Sequence, residues 1–460
     1  MTSIWFDQAL AAEGRVEPTP LDGDLRADVA IVGGGYTGLW TAIELKSRKP
    51  GLDVVVIERD LCGSGASSRN LGFAVTSWVQ ADLLAKMAGE EEALRLCRAS
   101  VAAVDEIAGL QAAHGIDVEI DRRGYVWTAT AAMQAGHWDR TLAVAERYQV
   151  RDYRLLSAAE VGELTGQRSA VAGVLDRGSA LLQPGRLVRG LRRLALKLGV
   201  RIFESTPMIR LLRGHPPGVV TPRGTVTADK VILAIYAWSM AVPELRPAIM
   251  VMGTDAVMTK PVPELIGKAG WTGAPGVTDS RILVEGQRIT PRGEVVWTKA
   301  GGNLPYGSRI DGAFARPRRD IAEMRELLRA NQPQLADAPL QGTWSGPIER
   351  TWDGLPLFGA LPTCPDILYG FGYSGAGLVL SRIGSRILAS LALGERDEWS
   401  GCALVRPPRR AFPPEPIRYI GAHMVRTAIE RKDRLDHEGR PTGPVTNFLL
   451  KFKPASYKSA

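Results

Sequence analysis

Residues 33–38, Gly-Gly-Gly-Tyr-Thr-Gly, constrain this chain more than any other segment. They end the apolar run Asp28-Val-Ala-Ile-Val, which reads as a buried parallel strand. They also open a stretch, Tyr36 to Lys49, in which Leu39, Ala42, Ile43 and Leu45 share one helical face. Pro50-Gly51 stops that helix, and Val54 to Glu58 reads as the next buried strand. Strand, helix and strand within about 30 residues make a βαβ unit with a right-handed crossover. In that setting the GxGxxG pattern predicts a dinucleotide site. Gly33 permits the tight turn, Gly35 lets the backbone approach a pyrophosphate, and Gly38 lets helix and strand pack closely. The helix N-terminus, with Tyr36 and Thr37 in its first turn, offers N–H groups to an anion. Glu58, 20 residues beyond Gly38, is placed to accept from ribose hydroxyls, and its charge disfavours a 2′-phosphate.

The rest of the chain reads as mixed. Helices are predicted over about 81–113, 133–147, 186–198, 317–330 and 377–393, with a short one started by the capping-box spacing of Ser157-Ala-Ala-Glu160. Residues 117–128 read as two short strands about Arg123-Gly124, and 219–227 as a hairpin. Lys230 to Ala234 reads as a buried strand, and 250–300 as alternating antiparallel strands. Prolines 407–408 and 413–414 mark a linker before a last helix at about 416–436. The fold class is therefore α/β (α+β): a discontinuous Rossmann-type nucleotide-binding domain, an inserted antiparallel-sheet substrate domain and a C-terminal helical tail. The boundaries are 25–100, 165–238 and 352–395 for the first, 101–164 and 239–351 for the second, and 396–460 for the basic linker and extension.

With 460 residues, two or three domains are expected. The net charge of +8 is local, because residues 401–460 hold 12 Lys/Arg against 5 Asp/Glu, a net +7. The basic balance thus describes a tail, and no nucleic-acid partner is expected. The four cysteines, Cys62, Cys97, Cys364 and Cys402, form no CxxC pair, so neither a zinc site nor a redox pair is expected. Reduced thiols, the absence of a leader-like N-terminus and the lack of an 18-residue apolar run point to a cytoplasmic protein. In the tail, Ile417, Ile420, Met424, Ala428 and Ile429 share a face, with Arg418, Arg426, Arg431 and Lys432 around it. That pattern suits a helix packed on the protein, or a weak membrane-surface or partner contact.

A second small-residue segment, Gly63-Ser-Gly65-Ala66-Ser67-Ser68-Arg69-Asn70-Leu71-Gly72, follows the second strand and offers many backbone and hydroxyl donors. A third, Gly372-Tyr373-Ser374-Gly375-Ala376-Gly377, precedes a helix whose N-terminus would favour negative charge on a flat ring beside it. Together with 28–38 these segments resemble the D-amino-acid oxidase superfamily of flavoenzymes, within it the gamma-glutamylputrescine oxidase and sarcosine oxidase type. Leu182-Gln-Pro184, Val231 to Ala234 with Ala237-Trp238, and Trp344-Ser-Gly346 through Asp353-Gly-Leu-Pro356 follow in the family's order, so the resemblance covers about residues 25–395. Departures are Leu71 where relatives commonly have Gly, Tyr236 where a small or polar residue is usual, and Ala376 where many have His.

The resemblance implies FAD, held by Gly33, Gly35, Tyr36, Thr37, Gly38, Glu58, Arg59, Gly65, Ala66, Ser67, Arg69, Asn70, Leu71, Gly72, Met208, Gly372, Tyr373, Gly375, Ala376 and Gly377. Some relatives attach flavin through a cysteine at a position that falls near Gly346, and Cys364 comes too late, so non-covalent FAD is expected. The implied reaction is oxidation of the C–N bond of an amine or amino acid, with hydride transfer to flavin N5 and hydrolysis of the imine. O2 is the expected acceptor; a quinone-linked dehydrogenase and a non-catalytic FAD-binding subunit are the alternatives. Lys299 stands in a strand similar to one that carries an O2-promoting lysine, and Arg288 in one similar to the substrate strand, where it could grip a carboxylate. Tyr373, Trp297, Trp352 and, more weakly, Trp78 are candidates for lining the pocket.

Overall fold

The computed structural model describes residues 2–14, 17–273, 275–310 and 312–455. Two eight-stranded sheets carry the chain. In the first, Leu25–Val32 lies between Gly224–Leu233 and Val54–Ile57, parallel to both, with Val29 opposite Val54 and Lys230. Arg201–Phe203 extends it in parallel beyond Val54–Ile57, and Cys364–Phe371 runs parallel on the other side of Gly224–Leu233. Leu357–Leu361 closes the edge as an antiparallel partner of Cys364–Phe371. The four residues Val54–Ile57 are all buried, as a strand covered on both faces requires. Helices Tyr36–Arg48, Pro184–Lys197 and Gly377–Leu393 pack into one apolar core with this sheet.

The second sheet runs in the order Leu340–Arg350, Met250–Thr259, Val295–Ala300, Glu285–Ile289, Gly276–Asp279, Tyr125–Ala129, Ala172–Asp176, Tyr153–Ser157. It is antiparallel except where Gly276–Asp279 runs parallel to Tyr125–Ala129. The strand Ala172–Asp176 falls inside the segment 165–238 assigned from sequence to the first domain, but it pairs in this second sheet. Helix Glu90–His114 crosses the boundary set at 100/101 and packs into the core of the first sheet.

Local chemistry accounts for most other differences from the sequence reading. The helix expected over 81–113 is two, Ala81–Ala88 and Glu90–His114, split at Gly89, which has φ +84°. That expected over 133–147 reduces to a 3₁₀ turn at Ala132–Gln134 and a helix Asp139–Arg147. Of the two strands expected in 117–128, only Tyr125–Ala129 forms, although Asp121 bridges to Leu181. An N-terminal helix, Ile4–Glu13, buries Trp5 and Phe6, and its cap is Ser3, whose Oγ accepts from Phe6 N. The tail helix spans Ile417–His437; Ala428 and Ile429 are buried, while Ile417, Ile420 and Met424 are exposed. No helix among the described residues is long and apolar enough to cross a membrane.

Candidate active site

Three glycines fix the turn after Leu25–Val32 by contact. Gly33 has φ +108°, and a Cβ there would lie 2.5 Å from Ala234 O at the end of the neighbouring strand. At Gly38 a Cβ would lie 1.9 Å from Gly33 O, so only glycine lets the helix start this close to the strand it follows. At Gly35 a Cβ would meet Ser67 Oγ at 2.9 Å. Gly35 is also the N-cap of Tyr36–Arg48 and makes no side-chain cap, which leaves that helix end to the cavity beside it. Ser67 Oγ accepts from Tyr36 N at 3.0 Å and ties the small-residue segment 63–72 to the same helix end.

That segment is folded on itself. Asn70 Nδ2 donates to Ala66 O and Ser67 O, while Asn70 Oδ1 accepts from Gly72 N at 2.9 Å. Glu58 takes Gly34 N on one oxygen at 2.7 Å and Asp60 N on the other at 3.0 Å. Burial raises its pKa above the ordinary value, while both backbone donors oppose the rise. Each carboxylate oxygen keeps a second lone pair for a ribose hydroxyl. Arg59 lies over Trp238, 4.9 Å from the ring centroid, and Trp238 backs Gly65.

These groups open onto one cavity of about 390 Å³ that reaches from the 33–38 turn to the face of the second sheet. That volume lies within the ordinary range of ligand cavities. Of the sequence-assigned cofactor residues, Gly33, Gly35, Tyr36, Thr37, Glu58, Arg59, Gly65, Ala66, Ser67, Arg69, Asn70, Leu71, Met208, Tyr373, Gly375 and Gly377 line it. Gly38, Gly72, Gly372 and Ala376 do not. The first three of these act through backbone packing: a Cβ at Gly72 would lie 2.0 Å from Leu182 O, and one at Gly372 2.5 Å from Thr351 Cγ2. Ala376 is the N-cap residue of Gly377–Leu393.

Among the assigned catalytic residues only Tyr373 faces the cavity; its hydroxyl lies 2.8 Å from Thr37 Oγ1. Lys299 is turned the other way. Its Nζ donates to Leu283 O at 2.9 Å and pairs with Glu285 at 2.9 Å, while its strand neighbours Thr298 and Ala300 line the cavity. The alternation of a strand leaves no other choice once Thr298 faces in. Arg288 is buried behind the 63–72 segment, where Nη1 donates to Leu182 O at 2.5 Å and Leu71 O at 3.3 Å. Burial pushes its pKa down to about 10, and its guanidinium sits 5.5 Å from the Trp5 ring centroid. It holds backbone and is no substrate anchor in this structure. Trp297 and Trp78 belong to apolar cores, and Trp352 is exposed beside Phe412.

The sequence reading missed the sheet face itself. Thr254, Thr278, Val284, Gly286, Thr298 and Ala300 come from four strands and the turn leading into one of them, and Ile348 and Arg350 from a fifth. Two lining residues, Tyr236 and Ser374, have φ of +47° and +53°. Such backbone costs on the order of 1–3 kcal/mol each and gathers at functional sites. Tyr236 stacks on Tyr373 with centroids 6.3 Å apart. Below them lies Glu349, fully buried, whose Oε1 accepts from Gly372 N at 2.5 Å and Tyr373 N at 3.2 Å. Burial pushes its pKa up to about 8 against those two donors.

Residues 28–391 match the DAO family of FAD-dependent oxidoreductases. The chain belongs to that family. Probable oxidoreductase OrdL of Rhizobium meliloti (strain 1021) is 28% identical over 405 residues, covering 86% of this chain and 89% of its own length. Gamma-glutamylputrescine oxidoreductase of Escherichia coli (strain K12) is 28% identical over 396 residues, with 85% and 89% covered. The crystal structure of glycine oxidase from Geobacillus kaustophilus superposes with a TM-score of 0.64 at 21% identity, covering 81% of this chain and 96% of that one.

Membership makes FAD the cofactor, and the cavity fits it. Gly33 and Gly35 line it without a side chain to fill it, the N-terminus of helix Tyr36–Arg48 opens onto it where a pyrophosphate would be stabilised, and Glu58 stands at the end of the second strand. No cysteine or histidine lines the cavity among the described residues, which agrees with non-covalent binding. Cys364 is buried elsewhere, with Sγ near Gly214 O.

Proposed function

We propose that the protein oxidises the C–N bond of a primary or secondary amine that carries a carboxylate, an amino acid or an N-substituted one, with O2 as acceptor. One observation carries the choice of substrate. Among the described residues, Arg350 is the only charged side chain that the second sheet contributes to the cavity lining. A positive charge at that end of the lining suits an anionic group and disfavours a polyamine. The same positive charge favours the unprotonated amine, whose lone pair supports the developing C=N bond. On this reading the first sheet and its helices form the FAD unit and the second sheet the substrate unit.

FAD, when bound, supplies the acceptor for a hydride leaving the carbon bonded to nitrogen. The C–N single bond becomes an imine, water adds, and the bond breaks to give a carbonyl compound and an amine. O2 takes the two electrons and leaves as hydrogen peroxide. The chain's own part is to orient the substrate: Arg350 for the carboxylate, the threonine face of the sheet for its polar edge, and Tyr373 with Tyr236 as an apolar wall. No histidine or lysine lines the cavity among the described residues, so proton removal falls to the choice of a neutral amine rather than to a side-chain base.

A quinone acceptor is the second reading. It is favoured by the placement of Lys299, since the lysine that the family resemblance ties to O2 is turned away from the cavity. The exposed Ile417, Ile420 and Met424, beside the basic residues of their helix, support a weak contact with an anionic surface within that reading.

Anaerobic titration of the purified holoenzyme with amines and amino acids tests both. Bleaching of the flavin band by a carboxylate-bearing amine, with colour restored on admitting air, is the expected result. Bleaching without rapid return selects the quinone reading, and bleaching by diamines alone overturns the substrate assignment. Arg350→Gln is expected to raise KM for the carboxylate-bearing substrate about 10- to 100-fold, the worth of one charged hydrogen-bonded contact. KM for a neutral amine of the same size is expected to stay within about 3-fold, well short of the loss of such a contact.

A further inference from the structure

Behind the sheet face that lines the cavity lies a cluster of five charged side chains, of which Asp279, Glu285 and Lys299 are buried and Arg281 and Asp433 half-buried. Glu285 and Lys299 project from their strands away from the cavity, opposite in sense to Gly286, Thr298 and Ala300. Arg281 pairs with Glu285 and lies 3.4 Å from Asp279, which accepts from Glu285 N at 2.8 Å. Asn331 Nδ2 donates to the other Glu285 oxygen at 2.9 Å. The fifth member, Asp433, comes from the helix Ile417–His437, outside the family match at 28–391.

Asp433 spends both oxygens on backbone. Its Oδ1 accepts from Ile282 N at 3.2 Å and its Oδ2 from Leu283 N at 3.3 Å. From the other side, Lys299 Nζ takes Leu283 O at 2.9 Å. Residues 282–283 are thus held at two amides and one carbonyl, and the next residue, Val284, lines the cavity and accepts from Ala300 N at 3.1 Å. The same helix binds the following loop, with Arg426 donating to Gly302 O at 3.2 Å and His423 in contact with Leu304 O at 3.3 Å. Ile429, Val425, Ala422 and Leu450 pack on Leu283, Ala300 and Ile348, so the extension backs the cavity wall directly. Burial raises the pKa of Asp433 and that of Asp279, the latter to about 6, whereas Lys299 and Arg281 outweigh burial at Glu285 and lower it. Three carboxyl groups share two cations, and Asp433 spends its oxygens on the amides of Ile282 and Leu283, which geometry alone does not require of a packed surface helix.

We propose that Asp433 is a positioning residue of the substrate compartment: by fixing Ile282 and Leu283 it sets Val284 and Ala300 at the wall, so that the C-terminal extension helps decide which substrates fit. The inference rests on the cavity being the substrate compartment.

The test compares wild-type holoenzyme with Asp433→Asn, which keeps one acceptor, and Asp433→Ala. Two readouts are used: hydrogen–deuterium exchange of the FAD-loaded protein, and KM and kcat for two substrates that differ in bulk. Faster exchange over 282–286 is expected in both variants, with 33–38 and 372–377 unchanged. KM for the better substrate is expected to rise on the order of 10-fold in Asp433→Ala, less in Asp433→Asn, and the preference between the two substrates to shift, with FAD content unaltered. Equal losses for both substrates, or unchanged exchange over 282–286, would overturn the proposal. If Asp433→Ala does not fold, Asp433→Asn decides by the same criteria. If no amine bleaches the wild-type flavin, the functional reading fails on that ground alone. Exchange over 282–286 in Asp433→Asn then still decides whether Asp433 holds the wall.

Discussion

Gly38→Val protein is expected to purify without a flavin band and to lose more than about 3 kcal/mol of stability. The reason is a backbone contact. A Cβ at position 38 would sit 1.9 Å from Gly33 O, and no rotamer change moves a carbonyl. Relief requires the helix Tyr36–Arg48 to lift from the strand Leu25–Val32, which opens the core in which Leu39, Ala42 and Ile43 are packed. Gly35→Val separates folding from binding. Its Cβ would meet only Ser67 Oγ, at 2.9 Å, and that hydroxyl can rotate. The Gly35→Val protein is therefore expected to unfold near the wild-type midpoint but to bind FAD at least about 100-fold more weakly, since a side chain there blocks the approach to two backbone N–H donors worth about 1.5–3 kcal/mol each to a charged partner. Flavin content after purification, and FAD titration followed by fluorescence, check both. Wild-type FAD affinity in Gly35→Val would remove the pyrophosphate from this turn.

What was legible in the sequence divides along the same line. The 33–38 turn is local: strand, glycines and helix are contiguous, and each glycine's reason lies within a few residues or on one neighbouring strand. Glu58 and the 63–72 segment follow within 40 residues and share the same cavity. The second-sheet end of the cavity is not local. Thr254, Thr278, Gly286, Thr298 and Arg350 meet only because five strands pair in one register, and Ala256 opposite Thr298 or Thr254 opposite Ala300 is a fact of that pairing. A one-residue change of parity turns every side chain of a strand to the other face. That is why Lys299 was placed with the cavity when its neighbours Thr298 and Ala300 own that position. Arg288 failed differently. Its strand is right, but the N-terminal helix with Trp5 and the 71–72 backbone cover it, and nothing in the sequence of 281–300 announces a helix from residues 4–13. The sequence pattern does not announce strand Ala172–Asp176, whose partner Tyr125–Ala129 is separated from it by helices Asp139–Arg147 and Ala158–Thr165 and by strand Tyr153–Ser157.

Glu349 supplies the second large effect, and it was invisible in sequence because an acid inside a strand reads as a solvent-facing residue. Its folded pKa is raised by burial from 4.5 to about 8. Between those values the folded protein holds a proton that the unfolded chain has released, so stability falls as pH rises across that window. The full contribution is present below about pH 4.5 and lost by about pH 8, a span on the order of 5 kcal/mol. Asp176, also buried and raised to about 6, adds a change of the same sign at lower pH. The comparison with Glu349→Gln therefore isolates Glu349. Gln keeps an acceptor for Gly372 N and Tyr373 N but cannot ionise, so the variant is expected to lose stability less steeply than wild type between pH 5 and 8 and to overtake it at the alkaline end. Glu349→Ala instead strands two buried N–H groups at a cost of roughly 1–3 kcal/mol each at every pH. Because those N–H groups belong to Gly372 and Tyr373, which shape the cavity wall beside Ser374 and Gly375, the Ala variant is also expected to release FAD more readily than the Gln variant. Denaturant unfolding of the three apoproteins from pH 5 to 8, with FAD affinity measured at pH 7, checks these outcomes. Parallel stability curves for wild type and Glu349→Gln would mean that Glu349 ionises in the fold as it does in the unfolded chain, and the proton would have to be placed elsewhere.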